Sequence, residues 1–552
     1  MRPVLRTVLA VAIVGGGAVI GAVAGRANPA DYSSADAFLA RYTATLNLVA
    51  DNAPRHVEAS ELVYASLDGM MELLDPHSSF LHPEAFAAMR ERQEGSFHGI
   101  GVIISIRGGR VTVIAPIADT PAARMGLRAG DIIDSIDGAS TEGMSIDDAA
   151  RGLRGPEGST VHVTVARPGL KEPFEVTLTR ARVPTESTRY AFLISPDTAY
   201  IRISDFTRTT GDEFRHALER LLGEGALRVL LDLRDNPGGM VDSAVDVASV
   251  LLEPGQQVFS TKGRTGDSFQ DYRSRSDGLH FSGPLVILVN RGSASAAEIV
   301  AGTVQDHDRG LLVGETTFGK GVVQTIYPVR DAGLALTTAK YYTPSGRCIQ
   351  RDFDSFFEYI HPSEGDDLVA PEPGEEQPPA KPRPTPGPDT PVYFTDSGRR
   401  VYGGGGIVPD HEVRLAEFSE RLVRLLGNSA FFHFAVDFLA TAEDKAAAAR
   451  AFVADDEALK RFRERVVAEK WLLPDEIDAA LANPGERRDI QLTLRTEVLN
   501  AGVSLTEGYR AMTAADEQIQ AALKLFAEAA ELHARARGTA TPERTAERAR
   551  AH

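Results

Sequence analysis

Residues 285–304 read LVILVNRGSASAAEIVAGTV, and residues 229–251 read VLLDLRDNPGGMVDSAVDVASVL. Each is an apolar strand, a glycine-bearing strand end and a helical run. Around them strands are expected at 199–203 and 311–314, with helices near 212–222, 241–251 and 296–304. This alternation of strand and helix predicts an α/β core with helices on the faces of a mostly parallel sheet. Two later strands, near 322–327 and 334–342, are expected to extend that sheet.

Upstream the pattern changes. From 99 to 166 short β-branched stretches (102–106, 111–115, 132–136, 161–166) alternate with turn signals, and helical pieces lie near 121–125 and 146–153. Before this unit, apolar residues from Phe38 to Leu74 recur at helical spacing, and beyond Glu417 the chain is helical and rich in Ala, Glu, Arg and Leu. A stretch at 362–391 is too rich in Pro and Glu to pack and reads as a loop or linker. With 552 residues the chain exceeds a single core. The expected division is 1–29 signal peptide or membrane anchor, 30–94 helical segment, 95–182 β-rich domain, 183–361 with 392–413 α/β core, and 414–552 helical domain.

The net charge of −18 offers no basic footprint for nucleic acid, and the lone Cys348 builds neither an intramolecular disulfide nor a thiolate metal site. Arg2 and Arg6 accompany an acid-free apolar run from Val4 to Ala24. This predicts export, with the mature chain periplasmic or anchored in the inner membrane facing the periplasm; cleavage and anchoring are both open.

The chemistry concentrates at the two glycine-bearing strand ends, where sites in α/β sheets usually lie. Ser295 stands at the start of a helix, whose N–H donors favour a forming alkoxide and oxyanion. Serine is also a common helix cap, and local sequence leaves Ser293 and Ser295 interchangeable between the two roles. No Gly-x-Ser-x-Gly elbow and no local histidine–acid partner accompany them. Lys320, between Gly319 and Gly321, supplies a base if burial lowers its affinity for protons. The loop lacks the Gly-x-x-x-x-Gly-Lys-Ser/Thr order of a phosphate loop. Glu298 completes a Ser-x-x-Glu capping pattern. His77 and His98 lack ligand-spaced partners.

Gly99-Ile100-Gly101-Val102 and the run 120–131 resemble the carboxylate-binding loop and core of a PDZ domain. The segments 232–239, 292–299 and 319–324, with Leu74-Asp75-Pro76-His77-Ser78 and 342–347, resemble the C-terminal processing, or tail-specific, serine proteases. That resemblance implies Ser295 as nucleophile and Lys320 as general base, separated by the family's spacing, with Gln324 orienting the amine. It implies an oxyanion hole from the N–H of Ala296 with that of Gly238 or Gly239, and no metal or cofactor. The PDZ loop Gly99, Ile100 and Gly101 would bind a substrate's C-terminal carboxylate or a regulator's tail and gate the active site. It also implies self-association through terminal helices. Two other readings share parts of the pattern: a catalytically silent PDZ scaffold, against which Ser295, Lys320 and Gln324 stand together, and an acyl-CoA enzyme, against which the export signal stands.

Overall fold

The computed structural model describes residues 35–275, 278–351, 390–415 and 417–539. The export segment and most of the 362–391 stretch lie outside the described residues. No single helix among the described residues is long and apolar enough to cross a bilayer.

The chain divides into two compact units. In the smaller one the helices Ala35–Asn52 and Ala59–Glu72 precede the strand Ser79–Leu81, which pairs antiparallel with residues 333–335. The Asp75 carboxylate accepts the N–H groups of His77 and Ser78 at 2.8 and 2.9 Å, a turn built by the side chain two residues before it closes. No side chain of Ala59–Glu72 is buried.

The larger unit begins with the PDZ-like region. Strands β1 (Val102–Arg107), β2 (Arg110–Pro116), β3 (Ile132–Ile136), β4 (Thr160–Ala166) and β5 (Phe174–Thr179) form an antiparallel sheet in that order. Alternate residues such as Val161, Val163 and Val165 point into its core, as a half-buried strand requires. Helix α1 (Ile146–Leu153) lies against it, started by Ser145, whose hydroxyl accepts the Asp148 N–H at 3.1 Å.

The α/β sheet follows. Its order is β6 (Tyr190–Ser195), β7 (Thr198–Arg202), β8 (Arg228–Asp232), β9 (Leu285–Val289), β10 (Leu311–Gly314) and β11 (His411–Glu412). Only β6 and β7 pair antiparallel. Ile201, Leu231 and Ile287 face helices α2 (Thr210–Gly223), α3 (Val241–Leu251) and α4 (Ala296–Asp306). Their neighbours Tyr200, Leu230 and Val286 point to the opposite face, which is also covered, so both faces read as apolar.

One expectation is corrected. The strands Val322–Val329 and Ala332–Tyr342 do not extend the α/β sheet; they pair with each other, and residues 339–342 pair antiparallel with Gln257–Gly263. Arg330, at φ +57°, turns the chain between the first two. A tight hairpin joins antiparallel neighbours, whereas a parallel partner needs a long crossover.

The C-terminal helices divide between two cores. Those from Glu420 to Gly502, including α5 (Ala430–Ala440) and α6 (Pro484–Gly502), pack around Phe431, Phe462 and Leu494. The next three, α7 (Leu505–Thr513), α8 (Glu517–Leu523) and α9 (Phe526–Thr539), cover the second face of the α/β sheet through Ile519, Phe526 and Leu532. The bundle also touches the back of the PDZ-like region: a Cβ on Gly130, at φ +88°, would meet the Val436 side chain at 2.8 Å.

Candidate active site

The carboxyl ends of β8, β9 and β10 lie side by side, so the loops after them converge. The structure separates the two serines. Ser293 is fully buried, and its hydroxyl donates to the Leu233 carbonyl at 2.7 Å while accepting the Asn290 N–H at 3.0 Å. It ties one loop to the other. Ser295 is half-buried at the head of α4, in the left-handed region at φ +53°. Such a backbone in a non-glycine residue is sparsely populated and must be held by its surroundings.

Glu298 is much of what holds it. One oxygen, Oε2, accepts the N–H of Ser295 and the N–H of Lys320, each at 2.9 Å. The other, Oε1, accepts the Gly319 N–H at 2.7 Å and the Thr317 hydroxyl at 2.5 Å. Thr317 Oγ1 in turn accepts the Ile407 N–H at 2.7 Å. The carboxyl is fully buried. Burial pushes its pKa up, and the bonds from Thr317, Lys320, Gly319 and Ser295 oppose that push. The capping pattern foretold only the bond to Ser295. Those to residues 317–320 join segments about twenty positions apart, and no local pattern signals them.

Lys320 Nζ donates to Gln324 Oε1 at 2.7 Å. The glycines beside the lysine admit close backbone: a Cβ on Gly321 would meet the Gln350 N at 2.5 Å, and one on Gly319 the Gly406 N at 2.9 Å. Thus the segment 403–407 and residues 350–351 brace the lysine loop.

Gly238 and Gly239 face α4 and Phe206. A Cβ on Gly238, at φ +101°, would meet Ser295 Cβ at 2.7 Å and Ala296 N at 2.9 Å. Its N–H donates to Asn236 Oδ1 at 2.8 Å, and Asn236, fully buried, also donates to the Ile203 carbonyl at 2.8 Å. The N–H of Gly239 and that of Ala296 meet no acceptor among the described residues.

Gly99, Ile100 and Gly101 lie elsewhere, at the mouth of a groove between edge strand β1 and α1. The cavity holds about 340 Å³ and is lined by Ile100, Val102, Ile104, Ile146, Ala150 and Leu153. Gly101, at φ +77°, lets Thr120 approach so that its hydroxyl donates to the Gly101 carbonyl at 2.9 Å. A free strand edge beside an apolar trough suits an extended peptide.

Residues 197–355 match the family model of peptidase family S41, and residues 112–167 that of the PDZ domain. Over 295 residues the chain is 37% identical to a carboxy-terminal-processing protease of Bartonella bacilliformis, covering 52% of this chain and 67% of that protein. Over 304 residues it is 36% identical to a carboxyl-terminal-processing protease of Synechocystis sp., covering 54% and 70%. Among solved structures it is similar to a photosystem II D1 C-terminal processing protease, at 30% identity and a TM-score of 0.32, covering 58% of this chain and 85% of that one.

Proposed function

Since this chain belongs to peptidase family S41, among the carboxy-terminal-processing proteases, and is a serine-type peptidase, we propose that Ser295 and Lys320 are its catalytic dyad. The observation that carries this reading is the Glu298 carboxylate, which binds the backbone N–H of both residues on a single oxygen. Neutral Lys320 takes the proton of Ser295 as its oxygen attacks a peptide carbonyl. A free lysine, with a pKa of about 10.4, is protonated at neutral pH and unable to do this. Gln324, accepting from Nζ at 2.7 Å, holds the amine without adding a charge. The developing oxyanion is received by the N–H groups of Ala296 and Gly239, because the Gly238 N–H is already given to Asn236. The amine leaves with the proton from Lys320, and water resolves the acyl-enzyme.

Cleavage of casein by wild type, Ser295→Ala and Lys320→Ala tests the dyad. Both variants are expected to fall to below about a thousandth of wild-type kcat with folding intact. Full activity in Ser295→Ala would end the reading.

The PDZ groove recognises the C-terminal tails of protein substrates and gates the site. Its flanking strands support this coupling. Ser96–Gly99 pairs with Ala181–Pro184, and both lead into residues bonded to the 204–213 segment: Arg208 N–H to the Gln93 carbonyl at 2.8 Å, and Ser187 to Glu213 at 2.7 Å. Phe206 of that segment donates to the Gly238 carbonyl at 2.8 Å. Deleting residues 95–182 should abolish the preference for substrates with a matching tail; unchanged activity and selectivity would exclude both roles.

The N-terminal helices support self-association. Phe38, Leu39, Leu48 and Leu73 are 57–85% exposed, an apolar surface that a second copy would cover. Light scattering should give a dimer or larger for the intact chain and a monomer after Leu39→Glu with Leu48→Glu. Export, with the active domain in the periplasm, is tested by fractionation of cells expressing the full chain.

A further inference from the structure

The loop that carries Gly238 and Gly239 is anchored by a residue of its own and by two that lie far beyond the S41 match. Arg234, 4% exposed, is held on one side by Asp232, fully buried, with Nη2 to Oδ2 at 2.6 Å and Nε to Oδ1 at 3.0 Å. On its other side Nη1 donates to Asp516 Oδ2 and to Gln518 Oε1, both at 2.8 Å. Asp516 is also the N-cap of α8, accepting the Ile519 N–H at 3.0 Å. Gln518 is fully buried, and its amide donates to the Val413 carbonyl at 2.7 Å. Among the described residues the bonds from the guanidinium to the C-terminal helices run to these two side chains; Tyr509 of α7 joins the cluster beside them, accepting from Arg202 at 2.6 Å.

The network continues into the site. Asp235, next to Arg234, exchanges two bonds with Asn290: its N–H donates to Oδ1 at 2.8 Å, and its Oδ1 accepts from Nδ2 at 2.7 Å. Asn290 begins the serine loop, which returns a bond from the Ala294 N–H to the Asn236 carbonyl at 2.8 Å. A fork-shaped cation held bidentately by one carboxylate and, on its other side, by a second carboxylate and an amide oxygen has little freedom to rotate, so the backbone that follows it inherits a fixed direction.

We infer that Asp516 and Gln518 are positioning residues of the reaction: α8 sets the place of Arg234, and through it the direction of the Gly239 N–H toward the oxyanion. This rests on the Ser295–Lys320 reading above. It predicts that the loss falls on kcat and spares KM, because only the transition state carries the charge that the Gly239 N–H receives.

The experiment compares full-length wild type, Asp516→Asn, Gln518→Leu and Gln518→Glu on one peptide substrate, with affinity for a peptide aldehyde as a second readout. Asp516→Asn keeps size and an acceptor for the helix cap, so it reports even if Gln518→Leu does not fold. The expected result is a kcat about tenfold lower in Asp516→Asn and Gln518→Leu, KM within about twofold, and a weakening of the aldehyde in parallel with kcat. Gln518→Glu keeps the acceptor for Arg234 but loses the donor to the Val413 carbonyl, so its kcat should lie between those of Gln518→Leu and wild type. Wild-type kcat in folded Asp516→Asn, or a loss confined to melting temperature, would overturn the inference. If Ser295→Ala is inactive in the same assay, that failure belongs to this inference alone; if Ser295→Ala is active, the dyad itself fails.

Discussion

Two helical regions of similar composition follow one another after residue 419, and they bury their apolar faces on different partners. Residues 420–502 pack on themselves, with Phe431 stacked on Phe462 at 5.0 Å between ring centres. Residues 505–539 lay Ile519, Phe526 and Leu532 on Tyr200, Leu230, Val286 and Leu288 of the α/β sheet. The first region has an apolar core of its own. The second covers one face of the α/β sheet from late in the chain.

The contrast is broken most directly by truncation. A chain ending at residue 503 exposes the sheet face formed by Phe192, Tyr200, Leu230, Val286 and Leu288, each burial worth about 1.5–3 kcal/mol. That sum is comparable to the whole stability of a domain, about 5–15 kcal/mol. The product is expected to be insoluble or proteolysed, and recovery of a soluble, active enzyme would show that the second region is dispensable.

Single substitutions sharpen it. Phe526→Ala and Phe462→Ala should each cost about 3–5 kcal/mol, but in different places. Hydrogen exchange should show the first loosening the α/β sheet and lowering peptide hydrolysis, and the second loosening only the bundle. Coincident exchange changes would mean the two regions unfold as one.

A smaller effect is expected where the bundle meets the PDZ-like region. Gly130→Ala adds a Cβ at φ +88° that meets Val436 Cγ1 at 2.8 Å, at a cost of about 1–2 kcal/mol. Exchange should rise in α5 and in residues 128–133, while the α/β sheet stays protected.

The smallest effect is of pH. Burial, with the nearby cations Arg309 and Arg537, holds the His533 imidazole of α9 down to about 4. Its folded form disfavours the proton, so the stability it contributes is present above the unfolded value near 6.5 and is lost as pH falls toward 4. Melting at pH 7 and pH 5 should differ by a few degrees less in His533→Gln than in wild type. An equal shift would place the acid sensitivity elsewhere.

Much of the architecture could be read from local pattern. The runs at 229–233 and 285–289, with glycines after them and helices beyond, located the sheet and the loops that carry the site. The strands after Val322 join a different sheet from the one their pattern predicts, because alternation within a strand says how it is buried and not which sheet takes it; the tight turn at Arg330 marks the hairpin. Local sequence leaves the two serines interchangeable, and only the spacing of the resemblance selects Ser295; what occupies Ser293 is the Leu233 carbonyl, some sixty positions away. The choice between Gly238 and Gly239 depends likewise on the Asn236 side chain. Glu298 was legible as a cap for one loop and illegible as the joint of two, since its other donors come from residues 317–320.

The positive φ of Ser295 bears on how this position can change over generations. A side chain branched at Cβ is strongly disfavoured at +53°, so threonine, though it offers the same hydroxyl, is a poor substitute for the lineage to adopt, whereas cysteine has the branching of serine. On the dyad proposed above, the routes by which this enzyme could acquire another nucleophile are thus narrowed by backbone geometry before chemistry is consulted.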